Sequence, residues 1–259
     1  VDLLTALRTH RLVAIVRGTD PEASLRAVLA LVEEGVSLVE VSLSGEGALD
    51  VIAAARAALG PDALLGAGTV LTADDARAAH RAGAGFAVTP ALGEGVAIAR
   101  ERGMPVLAGV MTPTDIVAAQ AMGVTAYKIF PAQQAGGPAY LRALRGPFPR
   151  LPFVPVGGVD AAAARAYLAA GALAVGVGSP LLGDAADGGS IAELRSRAAE
   201  FLDAVGAGAG HGSTGSARPA PGSALGTANP SGSTAGSTTG ARNTGAFAAG
   251  PAGGSADPD

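Results

Sequence analysis

Short apolar runs recur along the chain at Leu12–Arg17, Leu38–Ser44, Leu64–Val70, Phe86–Pro90, Pro105–Met111, Ala126–Pro131, Phe153–Gly157 and Leu173–Ser179. Runs of this length, bounded by Gly, Pro, Asp or Thr, predict buried strands. Between them lie stretches with helical spacing, such as Pro21–Glu34, Ala73–Ala82, Pro113–Met122 and Asp160–Ala170. Asp20, Thr72, Thr112 and Asp160 stand where these stretches begin and can cap free backbone N–H groups. Gly35, Gly83, Gly103, Gly123 and Gly171 stand where helical stretches end. Strand and helix repeating in this way predict an α/β protein built as a single (β/α)8 TIM barrel over residues 1–205. A doubly wound open sheet is the alternative, but no G-x-G-x-x-G follows the first strand. In a barrel, reactive groups sit at the C-terminal ends of the strands.

Composition changes sharply near residue 206. From 206 to 259 the chain is Gly, Ala, Ser, Thr and Pro with almost no large apolar side chain, which predicts a disordered tail unable to offset its ordering entropy. The net charge of −4 and the lack of a basic run give no case for nucleic acid as a partner. With no cysteine, disulfides and thiolate metal sites are excluded. Asp2, Arg8, Arg11 and Arg17 interrupt the N-terminal apolar residues, so neither a signal segment nor a membrane span is expected, and the expected location is cytoplasmic. His10, His80 and His211 all lie away from strand ends, so neither a metal site nor a Ser-His-Asp arrangement is expected, and no cofactor is implied.

Few polar groups fall within the strands. Lys128, in Ala126-Tyr127-Lys128-Ile129-Phe130-Pro131, is the only lysine in a chain that otherwise uses arginine for positive charge. Arginine stays protonated, whereas a desolvated lysine can lose its proton and attack a carbonyl carbon; the other use of such a lysine is an ion pair or a snorkelling side chain. Glu40 is the only carboxylate inside a strand. Period-two alternation puts Leu38, Glu40 and Ser42 on one face and Val39, Val41 and Leu43 on the other, which suits the helices, so Glu40 points into the barrel. There it is either functional or paired with Arg17, which ends the first strand and is itself a natural partner for a carboxylate or phosphate. Thr69 adds a hydroxyl at the end of the third strand. Gly157-Gly158 closes the seventh strand and Gly176-Val177-Gly178-Ser179 the eighth, where barrels commonly bind phosphate through backbone N–H groups. Tight turns are the plainer use of those glycines.

In these residues the chain resembles the class I 2-keto-3-deoxy-6-phosphogluconate (KDPG) / 4-hydroxy-2-oxoglutarate aldolase family. The resemblance spans about residues 5–203 and rests on Val39-Glu40-Val41, Gly66-Ala67-Gly68-Thr69-Val70, Gly109-Val110-Met111-Thr112-Pro113-Thr114, Tyr127-Lys128-Ile129-Phe130-Pro131-Ala132, Gly157-Gly158-Val159 and Gly176-Val177-Gly178-Ser179. It implies that Lys128 forms a Schiff base and that Glu40 moves the protons. It also implies that Arg17 and Thr69 hold a pyruvyl carboxylate, that Pro90 and Phe130 line the pocket, and that backbone near Gly158, Gly178 and Ser179 holds the phosphate. A homotrimer without a cofactor is the implied assembly. Two departures stand out. Ser44 occupies a position where many relatives have arginine, a charge that Arg17 is expected to supply. Val156 precedes Gly157-Gly158 where KDPG-cleaving members often have threonine, and this resembles the galactonate-type branch. The implied reaction is reversible cleavage to pyruvate and glyceraldehyde 3-phosphate. A sugar-phosphate isomerase or epimerase, or a non-catalytic sugar-phosphate sensor, are the competing readings.

Overall fold

A computed structural model describes residues 2–206; of the tail expected over 206–259 only Gly206, the C-cap of the last helix, lies within the described residues. The strands are β1 (Leu12–Val16), β2 (Leu38–Ser42), β3 (Leu64–Gly68), β4 (Ala87–Val88), β5 (Val106–Val110), β6 (Ala126–Ile129), β7 (Phe153–Pro155) and β8 (Val175–Val177). The helices are α1 (Leu3–His10), α2 (Pro21–Glu33), α3 (Ala48–Leu59), α4 (Ala73–Arg81) and α5 (Glu94–Glu101). They continue with α6 (Pro113–Ala121), α7 (Gly137–Arg145), α8 (Ala161–Ala169), the short α9 (Ser179–Leu182) and α10 (Ile191–Val205).

All neighbouring strands run parallel in one 8-stranded sheet ordered β7-β6-β5-β4-β3-β2-β1-β8. The remaining edges meet through a parallel bridge between Val156 and Gly176 and through the Leu173 N–H donating to the Phe153 carbonyl at 2.9 Å. The sheet thus curls into the expected (β/α)8 barrel. Each strand stops short of its apolar run. Arg17, Thr69 and Gly157 fall just past the paired residues, because the chain turns there into the loop that leads to the next helix. The eighth run also starts late, since pairing with β1 begins only where Leu12 meets Val175.

The caps sit where the sequence puts them. Asp20, Thr72, Thr112 and Asp160 each accept from a backbone N–H of the first turn, and Thr72 and Thr112 form reciprocal capping boxes with Asp75 and Asp115. These bonds fix where α2, α4, α6 and α8 start, and hence the lengths of the loops at the reactive end of the barrel.

Alternation along the strands divides the core into two shells. Val39, Val41, Tyr127 and Ile129 face outward and pack with the helices. Val13, Leu38, Phe86, Leu107, Ala126 and Val154 face inward, joined by Leu3, Ala6 and Leu7 of α1. That helix therefore serves as an apolar stopper for one end of the barrel, a role for which the sequence held no separate signal. Among the described residues no helix is long and apolar enough to cross a membrane.

Candidate active site

At the C-terminal ends of the strands a cavity of about 720 Å³ opens. Arg17, Thr69, Pro90, Lys128, Phe130, Val156, Gly157, Gly158, Gly178 and Ser179 all contribute to its wall. Of the residues singled out in the sequence, Glu40 alone is not in the wall. It lies deeper, only 2% exposed, with its carboxylate packed over β3. A Cβ on Gly68 would come within 2.4 Å of Glu40 Oε1, so glycine at this position is what makes room for the carboxylate.

Lys128 is also buried, on the inward face of β6 between the outward Tyr127 and Ile129. Glu40 and Lys128 stand on opposite walls: β3, β4 and β5 separate them one way round and β1, β8 and β7 the other. No hydrogen bond or ion pair involves either side chain among the described residues, although each feels the other's charge. Burial pushes the Lys128 ammonium below the ordinary lysine value; Glu40 pulls it back up and Arg17 adds to the depression. Burial raises Glu40 above the ordinary carboxylate value, against the opposing pull of Lys128 and then Arg17. The Lys128 ammonium also sits 5.3 Å from the centre of the Phe130 ring. Burial thus moves the two groups' pKa values away from their ordinary values and toward each other.

Arg17 does not pair with Glu40. Its Nε donates to Ser42 Oγ at 3.4 Å, and the exposed guanidinium reaches the cavity. The loop that carries it is held from behind. The Thr19 backbone N–H and hydroxyl both donate to Asp187 Oδ1, at 2.6 and 2.9 Å, and the Ser24 hydroxyl donates to the Ala186 carbonyl at 3.2 Å. Thr69 has φ 58, a left-handed conformation that is unusual for a β-branched residue and marks a site under constraint. On the far side, Gly157 and Gly158 have φ 102 and 71, a double left-handed turn open only to residues such as glycine. Ser44, Val159 and Gly176, which the sequence named only within motifs or as a departure, also line the wall, and Ile15, Pro180, Leu182 and Gly183, for which the sequence held no signal, complete it. Among the described residues no cluster of three or more His, Asp or Glu is placed to hold a metal.

A buried lysine and carboxylate at the mouth of a parallel barrel define a candidate carbonyl-processing enzyme of the (β/α)8 class. The family model "KDPG and KHG aldolase" matches residues 3–194, and the chain belongs to that family of carbon–carbon lyases. Over 168 residues it is 35% identical to the 2-dehydro-3-deoxy-phosphogluconate aldolase of Haemophilus influenzae, covering 64% of this chain and 79% of that one. A solved structure described as native KDPGal aligns with a TM-score of 0.70 at 35% identity, over 74% of this chain and 93% of the other. The KDPG aldolase of Legionella pneumophila, solved with pyruvate captured as a covalent carbinolamine, aligns with a TM-score of 0.68 at 27% identity, over 78% and 97% of the two chains.

Proposed function

We propose that the chain is a Schiff-base aldolase whose principal reaction is reversible cleavage of 2-keto-3-deoxy-6-phosphogluconate to pyruvate and glyceraldehyde 3-phosphate. The observation that carries this reading is the chain's one lysine, buried at the cavity opposite a buried carboxylate. An ordinary lysine with pKa ~10.4 is neutral in only about one molecule in a few thousand at pH 7. Burial of Lys128 removes part of that handicap. The neutral amine adds to the C2 ketone to give a carbinolamine; protonated Glu40 gives its proton to the carbinolamine hydroxyl, which leaves as water, and an iminium and a Glu40 carboxylate remain. Glu40 then takes the proton of the C4 hydroxyl, the C3–C4 bond breaks, and its electron pair moves to the iminium nitrogen. Glyceraldehyde 3-phosphate departs, Glu40 returns the proton to C3 of the enamine, and water releases pyruvate from Lys128. One carboxylate can serve each proton transfer when burial brings its pKa toward the working pH, as it does for Glu40.

In this reading Arg17 and Thr69 hold the substrate carboxylate, while Pro90 and Phe130 flank the carbonyl. The backbone at Gly157, Gly158, Gly178 and Ser179 receives the phosphate. The carbinolamine named for the Legionella relative supports the covalent route. A homotrimer is carried along from the resemblance, and a cytoplasmic location from the charged residues that interrupt the N-terminal apolar positions. The same machinery would cleave 4-hydroxy-2-oxoglutarate to pyruvate and glyoxylate. Val156 favours a second reading, 2-keto-3-deoxy-6-phosphogalactonate as substrate, because its side chain lines the cavity without a hydroxyl to meet the C4 oxygen.

The test is incubation with pyruvate and borohydride, followed by intact mass and peptide mapping. A single reduced pyruvyl adduct on Lys128 is expected in the wild type. Lys128→Arg keeps the charge but should give no adduct and lose turnover by at least about 10⁴-fold. A folded wild type that takes up no pyruvate would remove the aldolase reading and favour the sugar-phosphate isomerase or the non-catalytic sensor.

A further inference from the structure

We infer that Ser42, a residue that touches no substrate, presets Arg17 and Thr69 for the carboxylate of the 2-keto acid. The inference rests on the aldolase reading above and adds to it the means by which two groups from different loops share one geometry. Ser42 is fully buried on the inward face of β2, the face it shares with Glu40. Its hydroxyl meets three groups: Arg17 Nε at 3.4 Å, Thr69 Oγ1 at 2.8 Å and Ser44 Oγ at 2.9 Å.

A serine hydroxyl has one proton and two lone pairs, so these three contacts use all its capacity. The Arg17 N–H must donate, which takes one lone pair. The other lone pair and the proton are then divided between Thr69 and Ser44. When Ser42 donates to Thr69, the Thr69 proton is left to point into the cavity, and Ser44, exposed at the rim, donates back to Ser42. Only this arrangement makes Thr69 a donor toward an anion.

The same hydroxyl fixes how Arg17 presents itself. With Nε engaged, the two terminal nitrogens remain for a carboxylate, and they form a planar pair of donors suited to its two oxygens. The contact at Thr69 also helps to hold a β-branched residue at φ 58, where it does not rest by choice. Ser42 is thus a positioning residue: it orders the binding of the keto acid and leaves the bond-breaking steps to Lys128 and Glu40.

The experiment measures the rate of pyruvate capture against pyruvate concentration in the full chain, with the adduct mapped to Lys128. Ser42→Ala should raise the pyruvate concentration for half-maximal capture about tenfold, the cost of a lost hydrogen bond to a charged group, and leave the limiting rate within about twofold. Ser42→Cys, which fills the same space with a weaker partner, should move the same quantity in the same direction. In a Thr69→Val background the effect of Ser42→Ala should shrink to about threefold or less, because one of the groups it acts through is gone. Wild-type capture at Lys128 with an unchanged half-maximal concentration in Ser42→Ala overturns this inference alone. So does an effect of the same size with and without Thr69. A wild type that captures no pyruvate overturns the aldolase reading and this inference together.

Discussion

Along β2, Leu38 and Glu40 point into the same barrel two residues apart, yet they stand in different media. Leu38 belongs to a closed apolar layer with Val13, Leu107, Ala126 and Val154, sealed from below by Leu3, Ala6 and Leu7 of α1. Glu40 belongs to the polar region above it, where Ser42 and Lys128 are the other buried polar side chains on the inward face of the strands, with the cavity above them. The lower layer supplies burial that favours folding, roughly 1.5–3 kcal/mol for each large side chain. The upper layer opposes folding, since ionisable groups are held out of water without a direct partner. The contrast assigns stability to one end of the barrel and reactivity to the other. It also locates the cause of the shifted pKa values: the low-polarity floor lies directly beneath the charges.

Taking the charge from the upper layer tests that division most severely. Glu40→Gln keeps size and loses the proton carrier, so cleavage should fall by about 10²–10⁴-fold while slow pyruvate capture at Lys128 persists. The pH dependence of that capture has a definite sign. Glu40 raises the Lys128 pKa, so its neutralisation should move the capture profile toward lower pH. Stability should respond as well. Because the folded-state pKa of Glu40 is raised, the folded protein binds that proton more tightly than the unfolded chain does. Its contribution is therefore fully present below the unfolded value of ~4.3 and is lost as pH rises through the folded pKa. Glu40→Gln should remove that decline, read as a smaller drop in urea midpoint between acidic and alkaline buffer. Normal cleavage in this variant would take the proton-transfer role away from Glu40.

Damage to the lower layer should do the reverse. Leu7 of α1 is 1% exposed and packs into the barrel interior. Leu7→Ala is expected to cost about 2–5 kcal/mol in urea unfolding, because the stopper leaves a cavity that the rigid strands cannot close. Pyruvate capture well below the melting temperature should stay within about twofold of wild type, for no group of the upper layer is touched. A large loss of capture in the folded variant would mean that the two layers are coupled, and that the floor shapes the site as well as supporting it.

The sequence made the upper layer more legible than the lower. Period-two alternation alone turned Glu40 and Ser42 inward, and composition alone set Lys128 apart, since a buried charge is conspicuous in an apolar run. The helix starts at Asp20, Thr72, Thr112 and Asp160 were legible because capping is a local interaction. The stopper was not, since the apolar positions of Leu3–His10 say only that the helix has a buried side, and whether that side meets the outer or inner face of the barrel is a tertiary choice. Nor was the hydroxyl network at Ser42, whose partners come from three loops brought together by strand register. The register that pairs Ser42 with Gly68 is what delivers Thr69 to it.

The finest test of the upper layer concerns one methyl group. Val156 is 4% exposed, its backbone N–H donates to the Ile129 carbonyl at 2.9 Å, and its carbonyl accepts from Ala132 at 2.8 Å, so the side chain is rigidly held at the cavity wall. A Cβ on Gly176 would come within 2.6 Å of the Val156 side chain, so the glycine is what makes room for the valine at this point of the wall. Val156→Thr replaces a methyl by a hydroxyl of similar size, in a place where the open cavity can hydrate it. One added hydrogen bond to the C4 hydroxyl of one epimer should shift the ratio of kcat/KM for phosphogluconate over phosphogalactonate substrates by up to about tenfold toward the gluconate form. Stability should change by less than about 1.5 kcal/mol. A ratio that does not move would place the choice between the epimers on another wall of the cavity, and would leave Val156 as part of the apolar lining that depresses the Lys128 pKa.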